Sequence, residues 1–148
     1  PVGSGLVHAA FNLLILAVVL AATGHLSIGV LLLPALMLPA LLLAVGMSWF
    51  LAAWGVFIKD MNQVVPLFVQ MSLFLSPVFY PVSAVPAVLR PLYEYNPLGA
   101  VIEASRAAIL GQPIQWLGWS AALTLAFGAL VLGYLFFEHS RDEFADAL

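Results

Sequence analysis

Apolar residues run through this chain in long blocks, and what separates them is short polar punctuation or clustered proline. A run with no polar face has no aqueous side, which is the pattern of a membrane span rather than of an amphipathic surface helix. The first block, 6–23, closes on Thr23, Gly24 and His25, a polar turn that suits an antiparallel neighbour. The second, 28–58, is longer than one perpendicular crossing needs, and Pro34 and Pro39 near its start predict a tilt or kink. Lys59, Asp60, Asn62 and Gln63 then predict a reversal. A third span covers 64–80, with Gln70, Ser72 and Ser76 among Leu, Phe and Val. The fourth, 114–137, is entered through Trp116 and Trp119 and left through Tyr134, Phe136 and Phe137, which suit interface belts, into the charged tail 138–148.

Between the third and fourth blocks the pattern changes. Prolines at 77, 81, 86, 91 and 97, with Arg90, Tyr93, Glu94 and Tyr95 among them, rule out a lipid-facing span and predict short helices and turns. Asn96 followed by Pro97 has the form of a helix start, and Gly111 with Pro113 the form of a stop. The helix they bracket, 97–110, extends about 21 Å against a bilayer core of about 30 Å, so it dips in without crossing. The predicted fold is therefore an all-α integral membrane protein. It has four transmembrane helices, with short re-entrant helices over 81–113 between the third and fourth, in one domain over 1–148.

Composition agrees with lipid as the solvent. The 148 residues are 64% hydrophobic and 7% charged, where soluble domains run about 45–50% and about 25%. Mean hydropathy is +1.12. No formal charge occurs before Lys59, and no Lys or Arg precedes Leu6 to make the basic start of a signal peptide. With four Lys plus Arg against seven Asp plus Glu, there is no basic footprint for nucleic acid. The positive residues divide evenly, Lys59 and Arg141 against Arg90 and Arg106, so charge alone sets no orientation.

No constellation supports an enzyme. Cysteine is absent, and His8, His25 and His139 fall at a span start, a loop and a tail, never at metal-ligand spacing. Ser4 near His8 lacks a carboxylate partner. Lys59 follows no Gly-rich run, so no phosphate-binding loop is present. No catalytic residue, metal or cofactor is expected. Glu103 and Arg106, three apart on one face of the short helix, read as an ion pair in a poorly hydrated place, and Arg90 with Glu94 as a similar pair. Lys59 and Asp60 read as a solvated turn or as a contact surface. Phe74, Phe79, Tyr80, Tyr93 and Tyr95, with Phe68 nearby, gather around the break; such rings stack on sugars, or simply anchor helix ends at an interface.

The stretch WGVFIKDMNQVVPLFVQMSLFLSPVFYPVSAVP from Trp54, followed by YNPLGAVIEASRAAILG up to Gly111, resembles the permease subunit of ABC-2 type polysaccharide exporters, which move O-antigen, capsular polysaccharide or teichoic acid. The shared features are the Lys59-Asp60 turn, Pro66, the SPVFYP segment from Ser76 to Pro81, the Asn96-Pro97 start, Glu103 with Arg106, and a tail ending through Phe144, Ala145 and Asp146. The resemblance implies a homodimer of permeases in the cytoplasmic (inner) membrane, passing a lipid-linked glycan between them. ATP would be bound and hydrolysed by separate ABC subunits near Lys59 and Asp60. It also implies that these four spans are the third to sixth of six, the chain being the later two-thirds of such a permease, inactive by itself. The Lys59 turn, the tail and both ends of the chain would face the cytoplasm. Phe74, Phe79, Tyr80, Tyr93 and Tyr95 would then border the substrate pathway, and Glu103 with Arg106 would steady the re-entrant helix. ABC-2 exporters of drugs or lipids share this architecture, and a membrane scaffold that only binds partner helices would use the small residues Gly46, Ser48, Ala52 and Ala53 in the same way.

Overall fold

The computed structural model describes residues 2–22, 24, 28–58, 60–80 and 82–144. Lys59, His25, Pro81 and the tail residues 145–148 lie outside the described residues. The described chain is all helical, with no strand. Helix α1 spans Val2–Ala22, α2 Ile28–Leu31, α3 Leu33–Leu36, α4 Leu38–Phe57 and α5 Met61–Phe74. After a 3-10 turn at Val82–Ala84 come α6 Arg90–Glu94, α7 Pro97–Leu110 and α8 Trp116–Phe144.

Three helical segments are long and apolar enough to cross a bilayer: Gly3–Ala22, Leu33–Gly55 and Trp116–Ser140. The expected third span does not reach that length. Helix α5 stops at Phe74 rather than at Tyr80, and its 14 residues extend about 21 Å. Pro77 has no N–H for the carbonyl of Leu73 and disfavours helical backbone at Ser76, so the helix ends before it. The expected second span is broken at its start into α2, α3 and α4, with Leu32 and Met37 as the joints. Pro34 and Pro39 each sit in the first turn of a new helix, where a missing N–H costs nothing. Helix α8 continues past the expected end at Phe137 to Phe144, carrying Glu138 and Arg141 on helical backbone.

Helices α4 and α8 form the spine. Trp119 Nε1 donates to the Leu36 carbonyl at 2.9 Å, the rings of Trp49 and Tyr134 lie 5.4 Å apart, and those of Phe50 and Phe136 lie 5.1 Å apart. Contact positions rise together along both helices, so the two run parallel. Between the Trp119 bond and these aromatic pairs the backbones touch. A Cβ on Gly46 would stand 2.6 Å from the Ala129 carbonyl oxygen, and one on Gly133 would collide with the Gly46 carbonyl. Ala53 is buried on the same face of α4, whereas Ser48 and Ala52 point outward. Where lipid tails are as apolar as Leu, such close van der Waals packing holds helices together.

A second cluster forms at the opposite end. Val30, Leu33 and Leu36 pack on Ala104 and Ala108 of α7, covered by Leu13, Leu16 and Leu20 of α1 and by Trp119. Gly29 lies so close to Ala108 that no side chain would fit between them. Large apolar side chains face outward nearly everywhere else, among them Phe11 and Leu14 on α1, Leu67 and Phe68 on α5, and Leu132 and Leu135 on α8. A monomer in water would not sustain so much contiguous apolar surface.

Candidate functional site

Helix α5 carries the chain back from the end of α4 to the α7 cluster, where it breaks. From Leu75 to Tyr80 the backbone makes turns, including a tight one in which the Val78 N–H bonds the Ser76 carbonyl at 2.8 Å. Ser76 and Pro77 are buried, so the carbonyls freed by the break need protein donors. Helix α7 supplies them. Asn96 uses both ends of its amide: Oδ1 accepts from the Leu98 N–H at 3.0 Å as the helix cap, while Nδ2 donates to the Leu75 carbonyl at 3.1 Å and to Ser76 Oγ at 3.4 Å. Arg106 pairs with Glu103 through one guanidinium nitrogen. Through the other it donates to the Pro77 carbonyl at 2.7 Å and the Val78 carbonyl at 3.3 Å. Glu103 also accepts from the Val82 N–H at 3.4 Å. Gly99 permits the close fit, since a Cβ there would meet the Tyr93 carbonyl at 2.7 Å and Pro77 Cδ at 3.3 Å.

The expected Glu103–Arg106 pair is therefore present, and its position gives it a second role, that of latching the broken segment onto α7. This latch was not legible in the sequence, because Arg106 and Pro77 are far apart along the chain. Of the aromatic residues, Tyr80 and Tyr93 are brought together, with ring centroids 6.0 Å apart and hydroxyls 3.0 Å apart. Tyr80 donates its only proton to the Phe74 carbonyl at 3.1 Å, so Tyr93 is the donor between the two hydroxyls. Phe74, Phe79 and Tyr95 stand exposed nearby. Phe68 is exposed on α5 itself. Trp119, in the first turn of α8, is half-buried and uses its indole N–H on the Leu36 carbonyl, at the joint before Pro39. At the other end of the spine, Asp60 is exposed and precedes α5 without a side-chain cap bond. The side chain of Glu94 lies outside the described residues, so the expected partner of Arg90 is not placed. His8 donates from Nδ1 to the Ser4 backbone carbonyl at 2.7 Å, an ordinary turn-to-turn bond within α1.

A family model described as ABC-2 type transporter matches residues 2–110. The chain belongs to the ABC-2 type transporter family. No curated protein and no solved structure matches it. The match takes in α1 to α7, from the apolar first helix through the latched break. An ABC-2 membrane domain is the permease component of an ABC transporter, a transport part rather than a catalytic one, and the family implies an ATP-binding ABC partner. Multi-pass membrane insertion follows from the family together with the three long apolar helices.

The break presents rings and hydroxyls beside a backbone that charged and amide hydrogen bonds tie to α7 and its cap. Those bonds are the stronger kind, because one partner is ionised at Arg106 and Glu103.

Proposed function

We propose that this ABC-2 permease exports a polysaccharide, lipid-linked at one end, across the cytoplasmic membrane, working as a homodimer with ATP hydrolysed in separate ABC subunits. The observation that carries the reading is the ring cluster at the latched break, with Tyr80 stacked edge-on against Tyr93 and Phe74 and Phe79 exposed beside them. Aromatic faces stack on sugar rings at any point of a repeating polymer, and tyrosine hydroxyls add hydrogen bonds without fixing one register. A rim built this way slides along a glycan. The resemblance of the SPVFYP and NPLG segments to glycan exporters points the same way. In this reading the Lys59-Asp60 turn lies next to the ATPase, and both ends of the chain are cytoplasmic.

The test is glycan export in cells that carry the full-length permease with Phe74→Ala, Phe79→Ala or Tyr80→Ala. Export should fall severalfold at unchanged membrane abundance. Unchanged export for all three would return these rings to the role of interface anchors, and export of a drug or free lipid in place of a glycan would overturn the substrate class.

A further inference from the structure

A groove of about 700 Å³ lies between α6, α7 and the first turns of α8. Its walls carry two kinds of chemistry. Arg90, Gln112 and Gln115 give it a cation and two amides, while Leu117, Ala121 and Leu125 of α8 give it an apolar track. Those three residues are four apart and so lie on one face of the helix, a stripe of about 12 Å. Leu117 and Leu125 are 87% and 57% exposed, which leaves the stripe uncovered.

Arg90 is the anomaly in this groove. Its guanidinium has five N–H donors, yet among the described residues it reaches only the Val85 carbonyl, at 3.5 Å. Its Nε is buried with no partner among the described residues. Glu103, which also lines the groove, is already engaged by Arg106 and by the Val82 N–H. A half-buried cation with donors to spare, beside a helix face that fits a hydrocarbon chain, calls for an anionic amphiphile.

We propose that the groove binds a membrane lipid whose headgroup is a phosphate ester, with the phosphate on Arg90 and a chain along Leu117, Ala121 and Leu125. The planar guanidinium fork matches two phosphate oxygens at once, and the Gln112 and Gln115 amides line the same groove as further donors. A free anion would leave the apolar stripe unused. An uncharged lipid would leave the guanidinium short of acceptors. The site is independent of which substrate the permease exports.

The experiment is native mass spectrometry on the full chain purified from membranes and titrated with dioleoyl phosphatidylglycerol, with dioleoylglycerol, or with inorganic phosphate. Phosphatidylglycerol should be retained at least about tenfold better than dioleoylglycerol, and inorganic phosphate should not displace it. Arg90→Gln should lower that retention about tenfold, with Arg90→Lys between the two. Leu117→Asn, at a position too exposed to matter for folding, should lower it as well. Equal retention by wild type and Arg90→Gln would overturn the proposal. So would equal retention of the two lipids, which would mean a merely apolar surface, or displacement by phosphate alone, which would mean a free-anion site. Should Arg90→Gln fail to fold, Arg90→Lys and Leu117→Asn decide: wild-type retention in both refutes the site, and loss in both supports it.

Discussion

Arg106 holds three groups at once, the Glu103 carboxylate and the carbonyls of Pro77 and Val78, so its removal strands a carboxylate and two freed carbonyls together. Arg106→Gln is expected to cost about 1 kcal/mol, the low end for unmet polar partners, because the Glu103 and Arg106 side chains are partly exposed. Arg106→Lys should recover little of that, because a compact ammonium lacks the fork that spans carboxylate and carbonyl. Thermal unfolding in detergent checks both, and a lysine variant as stable as wild type would show that charge alone suffices. Asn96 separates into two roles in the same assay. Asn96→Asp keeps the acceptor for the Leu98 N–H and loses the donor to Leu75, whereas Asn96→Ala loses both. The alanine variant should lose about 1–2 kcal/mol and the aspartate variant clearly less. The cap was legible in the sequence because Asn-Pro is a local signal. The donor to Leu75 was not, since nothing near Asn96 in the chain announces which distant carbonyl a broken helix will leave free.

Elements here are bounded by proline and joined by glycine, and the two residues differ in how far their effect can be read. Pro34, Pro39 and Pro77 act within one helical turn, so the kink in the second apolar block followed from its spelling. The same rule, applied at Pro77, accounts for the end of α5 at Phe74, whereas the expected span, ending among Ser76, Pro77, Phe79, Tyr80 and Pro81, ran up to and past that proline. Gly111 ends α7 in the left-handed region, at φ 66°, as the Gly-Pro stop implied. Gly46 and Gly133 carry no such local signature. Small residues in an apolar block announce close packing somewhere, and only the fold says that these two backbones meet. Gly46→Leu is expected to cost about 3 kcal/mol or more, since the obstacle at 2.6 Å is Ala129 backbone rather than a movable side chain. Gly128→Ala, on the same helix α8 with nothing within 4 Å of its added Cβ, should instead stabilise by about 0.5–1 kcal/mol. Melting temperatures of the pair decide the matter, and equal effects would mean that the α4–α8 crossing is looser than its geometry.

Because α4 and α8 run parallel, the chain must travel from the end of α4 back to the start of α8 between Asp60 and Trp116, and α5 with the latched break makes that return. Its helical part is too short to span a bilayer unaided, and the turns beyond Phe74 bury Ser76 and Pro77, so their freed carbonyls take donors from α7 and its cap. The arrangement fixes which loops share a face, a point that the tied count of positive residues left open. Asp60, following α4, and Glu138, near the end of α8, lie at one end of the spine, while Gln112, ahead of α8, lies at the other. All three side chains are exposed. The chain has no cysteine, so single cysteines at these positions report without background. In sealed membrane vesicles of one orientation, an impermeant maleimide should label Asp60→Cys and Glu138→Cys from the same side, with Gln112→Cys reached from the opposite side. Labelling of Asp60→Cys and Glu138→Cys from opposite sides would mean that α4 and α8 are antiparallel in the membrane. The Gly46–Gly133 contact and the Trp119–Leu36 bond could not then both exist, and the latch on α7 would lose the scaffold that places it.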